Sequence, residues 1–289
     1  MTDKKIKIRL QGHEKFVLRE GWLNKGLIQI EENPAVFLGK DAPDVFGIGN
    51  NMVKSLRYWL KAFGLMEEKV TVGATLSYCG KIIKEYDVYF EDIFTLWVLH
   101  SNIVHNMGEA TSWYLFFNKC DVEDMEKEQI VQILIRELKK YTNNMAFSEK
   151  SLRNDVDVIL SMYGKVKKIA DPEDKNISPF AQLDLIKNID DCYSKIQPDR
   201  RKVTEWNVLY ELSRYLCDRD YISIDEISEG IGSINAIYQI GSVAINGYLD
   251  KLDAMGYIRV DRTAGLDIIY KVADITPEMV MKEYYKTHR

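Results

Sequence analysis

The hydrophobic pattern at the start of the chain predicts a strand followed by two helices. Apolar and polar residues alternate over residues 5–10, which is the pattern of a half-buried strand. The next apolar positions predict a short helix that begins near Leu18 and ends near Gly26. A third set predicts an amphipathic helix over residues 52–63, with one continuous apolar face: Met52, Leu56, Trp59, Leu60 and Phe63.

The amphipathic helix over residues 52–63 belongs to a helix-turn-helix pattern. It follows a short segment, residues 42–46, and a turn with glycines at Gly47 and Gly49. A strand predicted over residues 70–78, with a further helix after it, extends the pattern to a winged helix whose recognition helix covers residues 50–63. The predicted DNA contacts are Asn50, Asn51, Lys54, Arg57, Tyr58 and Lys61. We expect one of the two asparagines to cap the helix. A solvated helix without a partner would show the same cations, so both interpretations stay open.

The last part of the chain predicts a second winged helix. A helical face over residues 206–216 precedes a capping box over residues 223–226. A long helix over residues 237–252 ends at Gly256, and a β-hairpin follows over residues 257–272. The predicted contact residues are Asn235, Gln239, Ser242, Asn246, Lys251, Arg259 and Arg262. Asn and Gln side chains can read adenine edges in the major groove. Winged helices also dock other proteins, so this alternative stays open.

Between these segments the pattern is helical throughout residues 91–164, and Ser148 is predicted to cap the final helix. A polar stretch, residues 165–175, is the best candidate for a linker. We therefore predict a mainly α, α+β fold with a winged helix-turn-helix domain at each end and a helical middle. The predicted domains are residues 1–90, 91–175 and 176–289.

Composition and charge limit the classes of partner that we expect for this protein. The chain is 46% hydrophobic, which excludes a disordered protein, and its net charge of −5 argues against an overall basic surface. Residues 1–70 carry a balance of +3, whereas residues 71–200 carry −5 and residues 201–289 carry −3. Phosphate contacts need cations, so the first segment is the favoured one for nucleic acid. The sequence lacks an apolar run of membrane-span length and an N-terminal signal pattern, so we expect a cytoplasmic protein.

Candidates for catalysis are few. His13 lies beside Glu14, and such a pair can perform acid–base chemistry, but the simpler role is to hold the entrance loop onto Arg19 or the next helix. His100 and His105 would diverge by about 140° on a helix, which makes them a poor metal pair. The four cysteines lack the paired spacing of a zinc site or disulfide framework, and we expect reduced, mostly buried thiols. We therefore expect a non-catalytic protein with no cofactor and no metal, and keep an enzyme using His13 and Glu14 as the alternative.

Several motifs resemble an uncharacterised bacterial family, domain of unknown function 4007 (DUF4007). The likeness rests on Gly12-His13-Glu14-Lys15-Phe16, Arg19, Gly21-Trp22-Leu23, Gly47-Ile48-Gly49-Asn50-Asn51, Arg57-Tyr58-Trp59 and the stretches 85–92, 95–100 and 151–155. Within the family motif, His13, Glu14, Arg19 and Trp22 are expected to have a structural role. The resemblance implies an accessory protein encoded in gene islands for DNA sulfur modification, or phosphorothioation, and phage defence.

The resulting prediction is a non-catalytic, DNA-binding accessory or regulatory protein of such a system. Its expected partners are double-stranded DNA and proteins of a modification or defence complex, with a homodimer as an open alternative and no membrane. The competing hypothesis is a protein-interaction adaptor that uses its winged helices to dock a partner enzyme.

Overall fold

The computed structural model describes residues 6–164 and 178–288, and its fold is mixed α+β and mainly helical. Helices and a hairpin make up the first part. Its elements are α1 (Trp22–Glu32), α2 (Ala42–Phe46), α3 (Asn50–Ala62), β1 (Met66–Lys69), β2 (Gly73–Leu76) and α4 (Tyr78–Tyr86). The two strands pair antiparallel, with Met66 opposite Leu76. The order is thus three helices, a hairpin and a further helix.

The central elements combine four helices with a small sheet. They are α5 (Ile93–His105), α6 (Thr111–Lys119), β3 (Met125–Glu126), α7 (Lys127–Tyr141), α8 (Glu149–Tyr163), β4 (Ile186–Ile189) and β5 (Cys192–Lys195). The strand order is β3-β5-β4, and both pairings are antiparallel. Ser148 caps α8 as predicted, because its Oγ accepts a hydrogen bond from the Ser151 backbone N–H at 3.1 Å. The predicted linker, residues 165–175, lies outside the described residues.

The last part again places helices before a hairpin. Its elements are α9 (Glu205–Leu216), β6 (Tyr221–Ser223), α10 (Ile224–Ser228), α11 (Ile234–Tyr238), α12 (Ser242–Ala254), β7 (Ile258–Asp261), β8 (Ile268–Lys271) and α13 (Pro277–Thr287). The sheet order is β6-β8-β7, with Val260 of β7 opposite Ile269 of β8. The hairpin is therefore where the sequence predicts it.

Two elements near the N-terminus differ from the prediction and one is confirmed. Residues 6–10 form no strand, whereas the strand predicted within residues 70–78 is β2, which pairs with β1 in a hairpin. Gly26 does not end its helix but lies in the middle of α1. A Cβ at Gly26 would lie 2.6 Å from Leu60 Cδ1, so the glycine permits close approach of α1 and α3. The glycine marks a packing contact, although the sequence gives it the appearance of a helix end.

The long helix predicted over residues 237–252 is broken in two. α11 ends at Tyr238, Gln239 has a φ of +54°, and α12 begins at Ser242. A residue with this left-handed backbone cannot continue a right-handed helix. The apolar spacing continues across the break, which is why periodicity alone predicts one helix.

A single hydrophobic core connects all three parts of the described chain. It extends from Leu18 near the N-terminus to Tyr285 in α13, and three fully buried tryptophans, Trp59, Trp97 and Trp113, lie within it. None of the described helices combines the length and the apolar character needed to cross a membrane. The side chains of interest below are therefore positioned by one continuous packed interior.

Candidate nucleic-acid interface

The family motif at His13 forms a buried anchor. His13 is fully buried, and its Nε2 lies 2.7 Å from Oδ1 of Asp155 on α8. The Lys15 backbone N–H donates to His13 Nδ1 at 3.0 Å, so Nδ1 is unprotonated and Nε2–H donates to the carboxylate. Asp155 also accepts from the Gln11 backbone N–H and from Ser112 Oγ. This network attaches the entrance loop to the centre of the molecule.

The anchor corrects the predicted partner of His13. The loop is held by Asp155 rather than by Arg19 or the next helix. Glu14 is half-buried with a φ of +49°, and Arg19 lies over the Trp22 ring, with 5.8 Å from Cζ to the ring centroid. His13 stacks on Trp59 and is fully buried, so it has no surface open to a substrate. The geometry is that of a structural contact.

Two of the three predicted DNA-binding cations of α3 are neutralised by carboxylates. Arg57 Nε lies 2.5 Å from Glu68 Oε1, and Lys61 Nζ lies 3.5 Å from Glu68 Oε2. Glu68 is carried by β1, so the hairpin brings its own carboxylate to the polar face of α3. Partial burial raises the pKa of Glu68, but the hydrogen bond and charge of Arg57 outweigh it and leave the pKa below its usual value.

A second carboxylate, Glu109, forms ion pairs with three cations of the N-terminal segment. Lys7 Nζ and Arg9 Nη1 each lie 2.5 Å from it, and Lys61 Nζ lies 4.0 Å away. Partial burial acts to raise the pKa of Glu109, but these three cations hold it below the usual value. Four cations of the first segment, Lys7, Arg9, Arg57 and Lys61, are therefore paired with carboxylates within the molecule, so Arg57 and Lys61 are not the free, outward cations that the prediction needs.

The remaining predicted residues of α3 also differ from expectation. Tyr58 is buried, 2% exposed, and packs against Gly12 and Trp59, so it is not on the polar face. Asn50 and Asn51 are exposed, but the N-cap is Gly49, and no side chain caps the helix. Lys54 is exposed and donates to Asn51 Oδ1 at 3.2 Å. Of the predicted α3 contacts, only Asn50, Asn51 and Lys54 lie fully at the surface.

The first turns of α12 present a different kind of surface, which we call the α12 face: Ser242, Val243, Asn246 and Gly247. Val243 is 80% exposed, and a Cβ added at Gly247 would meet nothing within 4 Å. No side chain caps the helix at Gly241, and its first turn carries no acidic residue. The α12 face is thus open, small and uncharged.

One arginine of the hairpin contacts this face. Arg262 Nη2 donates to Asn246 Oδ1 at 2.9 Å, and its Nη1 lies 2.7 Å from Asp250 Oδ1. Arg259 is exposed and lies over the Tyr270 ring, with 4.7 Å from Cζ to the ring centroid. The structure therefore brings Asn246 and Arg262 together, with Ser242 one turn before Asn246 on α12, whereas Arg259 lies on β7 against Tyr270.

The other predicted residues of this segment lie elsewhere. Gln239 ends α11 and lies before α12 begins, and Asn235 is an exposed residue of α11. Lys251 lies on α12, but its Nζ lies 3.2 Å from Glu205 of α9. Sequence reasoning missed Glu68, Glu109 and Asp155, which bind the predicted cations and His13. Glu109 lies 48 residues or more from its cations along the chain and Asp155 lies 142 residues from His13, and no local motif marks them.

Two solved structures are similar over 96% of this chain and 88% of theirs, each with a TM-score of 0.85: an SspB crystal structure at 24% identity and a magnesium ion-bound SspB crystal structure at 23% identity. At these identities the likeness establishes the fold. Comparison with curated protein sequences gives no match. The family described as "Protein of unknown function (DUF4007)" matches residues 10–285, nearly the whole chain, and this protein belongs to that family.

Proposed function

We propose that this protein is a DNA-binding accessory protein of a DNA-modification or phage-defence system, and that it contacts double-stranded DNA through the α12 face. The observation that carries the proposal is the open, uncharged face of α12 beside Arg262 of the hairpin. In this proposal α9 to β8 form a winged helix, α12 is the recognition helix, and the β7–β8 hairpin is the wing.

The order of elements supports this assignment. α11 and α12 are separated by a tight turn, and the hairpin that follows α12 pairs with β6 from earlier in the chain. A helix-turn-helix with this arrangement places the N-terminal residues of its second helix against base edges in the major groove. In α12 those residues are the ones that form the α12 face.

The chemistry of the face suits close contact with a duplex. Ser242 and Asn246 offer hydrogen-bonding side chains, and Gly247 lets the helix backbone approach the groove wall. The first backbone N–H groups of α12 have no side-chain cap and can meet a phosphate, while Arg259 and Arg262 can contact the neighbouring backbone.

The charges near the α12 face set the expected affinity for DNA. Asp250 already pairs with Arg262, so binding must exchange that carboxylate for a phosphate. With two to three cationic phosphate contacts, the slope of log affinity against log salt should be about −2 to −3, which is shallow for a DNA-binding protein. We therefore expect weak binding alone, strengthened by a partner or by more than one copy on the DNA.

Fluorescence anisotropy with labelled duplex DNA tests the proposal. Arg262→Ala together with Asn246→Ala should weaken binding at least tenfold. Arg219→Ala is the matched control, since Arg219 is also an exposed arginine paired with a carboxylate, Glu226, but lies off the α12 face. Equal affinities for the two variants and the unmodified protein would remove the α12 face from the proposal.

The N-terminal unit supports the adaptor hypothesis as a second candidate function. Two of the three cations of α3, Arg57 and Lys61, are paired with Glu68 and Glu109, whereas Val70 and Val72 at the hairpin tip are exposed, at 102% and 52%. An apolar tip beside neutralised cations favours contact with a protein over contact with phosphates. Loss of a pulled-down partner protein in Val70→Ser, Val72→Ser, with DNA binding retained, would support this division of roles.

The proposal assigns binding and no catalytic step to this chain. One similar structure is a magnesium ion-bound SspB crystal structure, and among the described residues here no group of three or more His, Cys, Asp or Glu side chains is placed to hold a metal. Incubation of the purified protein with supercoiled plasmid and Mg²⁺ tests this part. Conversion of the plasmid to the open-circular or linear form would overturn it.

A further inference from the structure

The loop over residues 198–203, between β5 and α9, lies against one flank of α12. The Tyr248 hydroxyl of α12 donates to the Val203 carbonyl oxygen at 2.8 Å and lies 3.4 Å from the Arg200 carbonyl oxygen. Lys251, three residues later on α12, lies over the Tyr248 ring and 3.2 Å from Glu205 Oε2 at the start of α9. We call residues 198–203 the basic loop, because its sequence carries three consecutive cations: Arg200, Arg201 and Lys202.

Buried contacts fix the backbone of the basic loop. Pro198 and Val203 are buried at its two ends. Between them, the Lys202 carbonyl oxygen accepts a hydrogen bond at 2.6 Å from the indole N–H of Trp97, a fully buried residue of α5. The loop is therefore held by both α5 and α12, and its position beside α12 is set by the packed interior.

The basic loop and the β7–β8 hairpin lie on opposite flanks of α12. Arg262 of the hairpin contacts Asn246 and Asp250, whereas the loop contacts Tyr248. Asn246 and Tyr248 are two positions apart, which is a rotation of about 200° around an α-helix. Gly247 lies midway between them, on the open α12 face. The α12 face is therefore bordered by the hairpin on one side and by the basic loop on the other.

Arg200 supplies an available cation on this flank. Its side chain is exposed and forms no ion pair with any of the residues that the structure describes. Burial and the Glu205 carboxylate raise the pKa of Tyr248, whereas the charge of Arg200 acts to lower that pKa, so this charge lies near α12. Arg201 is 89% exposed, and its partner is Asp199 of the same loop. Such an exposed ion pair is weak and can exchange its carboxylate for a phosphate.

A helix in the major groove has the phosphates of a different strand on each side, because the groove is about 12 Å wide and a helix nearly fills it. We propose that the basic loop contacts the phosphates of one DNA strand through Arg200 and Arg201, while Arg262 contacts those of the other strand. This inference rests on the proposed function, because it assigns a second set of contacts to the same duplex. It makes double-stranded DNA the partner, since a single strand offers only one backbone.

Fluorescence anisotropy of the full chain with labelled duplexes, at a series of salt concentrations, tests the basic loop. Arg200→Ala together with Arg201→Ala should make the slope of log affinity against log salt shallower by about 1 to 2, because each phosphate contact contributes about 0.9. Affinity should fall by the same factor for duplexes of different sequence, because phosphate contacts do not distinguish bases. Arg136→Ala together with Lys140→Ala is the control, since it removes the same charge from exposed ion pairs of α7, and should leave the slope unchanged.

The outcomes separate this inference from the proposed function. An unchanged slope in the basic-loop variant, or an equal change in the control, overturns the basic loop as a contact, and the α12 face stands if Asn246→Ala with Arg262→Ala still weakens binding. A loss in the basic-loop variant without a loss in the α12 variant overturns the α12 face and the two-sided arrangement. Equally tight binding of a single strand overturns the assignment to two strands. Absence of duplex binding by the unmodified protein overturns both proposals.

Discussion

The buried His100 predicts how the protein responds to acid. It is fully buried on α5, and its Nε2 lies 2.8 Å from the Ile237 carbonyl oxygen while Nδ1 lies 2.9 Å from the Tyr163 hydroxyl. A carbonyl only accepts, so Nε2 carries the proton and Nδ1 accepts from the tyrosine. A second proton on Nδ1 would oppose the Tyr163 hydroxyl proton inside a dry core.

The magnitude follows from the shift in pKa. Burial lowers the pKa of His100 to about 4, although Glu211 nearby acts to raise it and His105 and Lys195 act to lower it. An unfolded histidine has a pKa of about 6.5, so between these values the unfolded chain binds more protons than the folded one. Stability is therefore lost as pH falls from 6.5 toward 4, by about 2 kcal/mol at pH 5 and about 3 kcal/mol in full.

Urea denaturation at a series of pH values measures this loss of stability, with His100→Gln as the variant that has no titrating group at this position. Its free energy of unfolding should be lower than that of the unmodified protein at pH 7, because the ring contacts are lost. The difference between the two proteins should then shrink by about 2 kcal/mol between pH 7 and pH 5. Parallel curves over this interval would refute the reasoning.

Three further predictions use the same or simpler measurements. Asp155→Ala should lower the free energy of unfolding by about 3–5 kcal/mol, because it leaves His13 and Ser112 without their acceptor. Asp157→Ala is the control, on the same helix but half-exposed, and should change the free energy of unfolding by less than about 1 kcal/mol. Equal losses in the two variants would contradict the buried anchor. Gly26→Ala should lower the free energy of unfolding by about 1–3 kcal/mol, because the new Cβ meets Leu60. Gly247→Ala, with open space around it, should raise the free energy of unfolding by about 0.5–1 kcal/mol. A neutral Gly26→Ala would show that α1 and α3 are not in close contact. In native protein, iodoacetamide should label the exposed Cys217 before Cys79 and Cys120. Burial raises the pKa of the Cys79 thiol to about 12 and that of the Cys120 thiol to about 11. Mass spectrometry that shows Cys79 labelled first would be incompatible with the fold.

Local sequence patterns predicted the elements that depend on local chemistry. The apolar face over residues 52–63 corresponds closely to α3, and the polar loop between two β-rich runs corresponds to the β7–β8 hairpin. Ser148 caps its helix because its hydroxyl and the start of the helix are neighbours in the chain. Such features need no information from distant residues.

The candidate interface was less predictable because charge pairing is decided by distant parts of the chain. Glu109 neutralises cations that precede it by 48 to 102 residues, and nothing in its own surroundings indicates this. The interruption at Gln239 was also invisible, since the apolar period continues through it and glutamine carries no preference for a left-handed backbone. Sequence alone therefore located the cations but could not show which of them are available.

The small sheet β3-β5-β4 has a consequence for how the polypeptide is held together. It pairs a strand that precedes residue 164 with two that follow residue 178, and Gly164 forms a parallel bridge with Ile186. The hydrogen bonds themselves bring the two stretches of chain to each other. Two separately translated fragments, divided between residues 164 and 178, would keep the contacts that the described residues make across this point, and we expect them to reassemble.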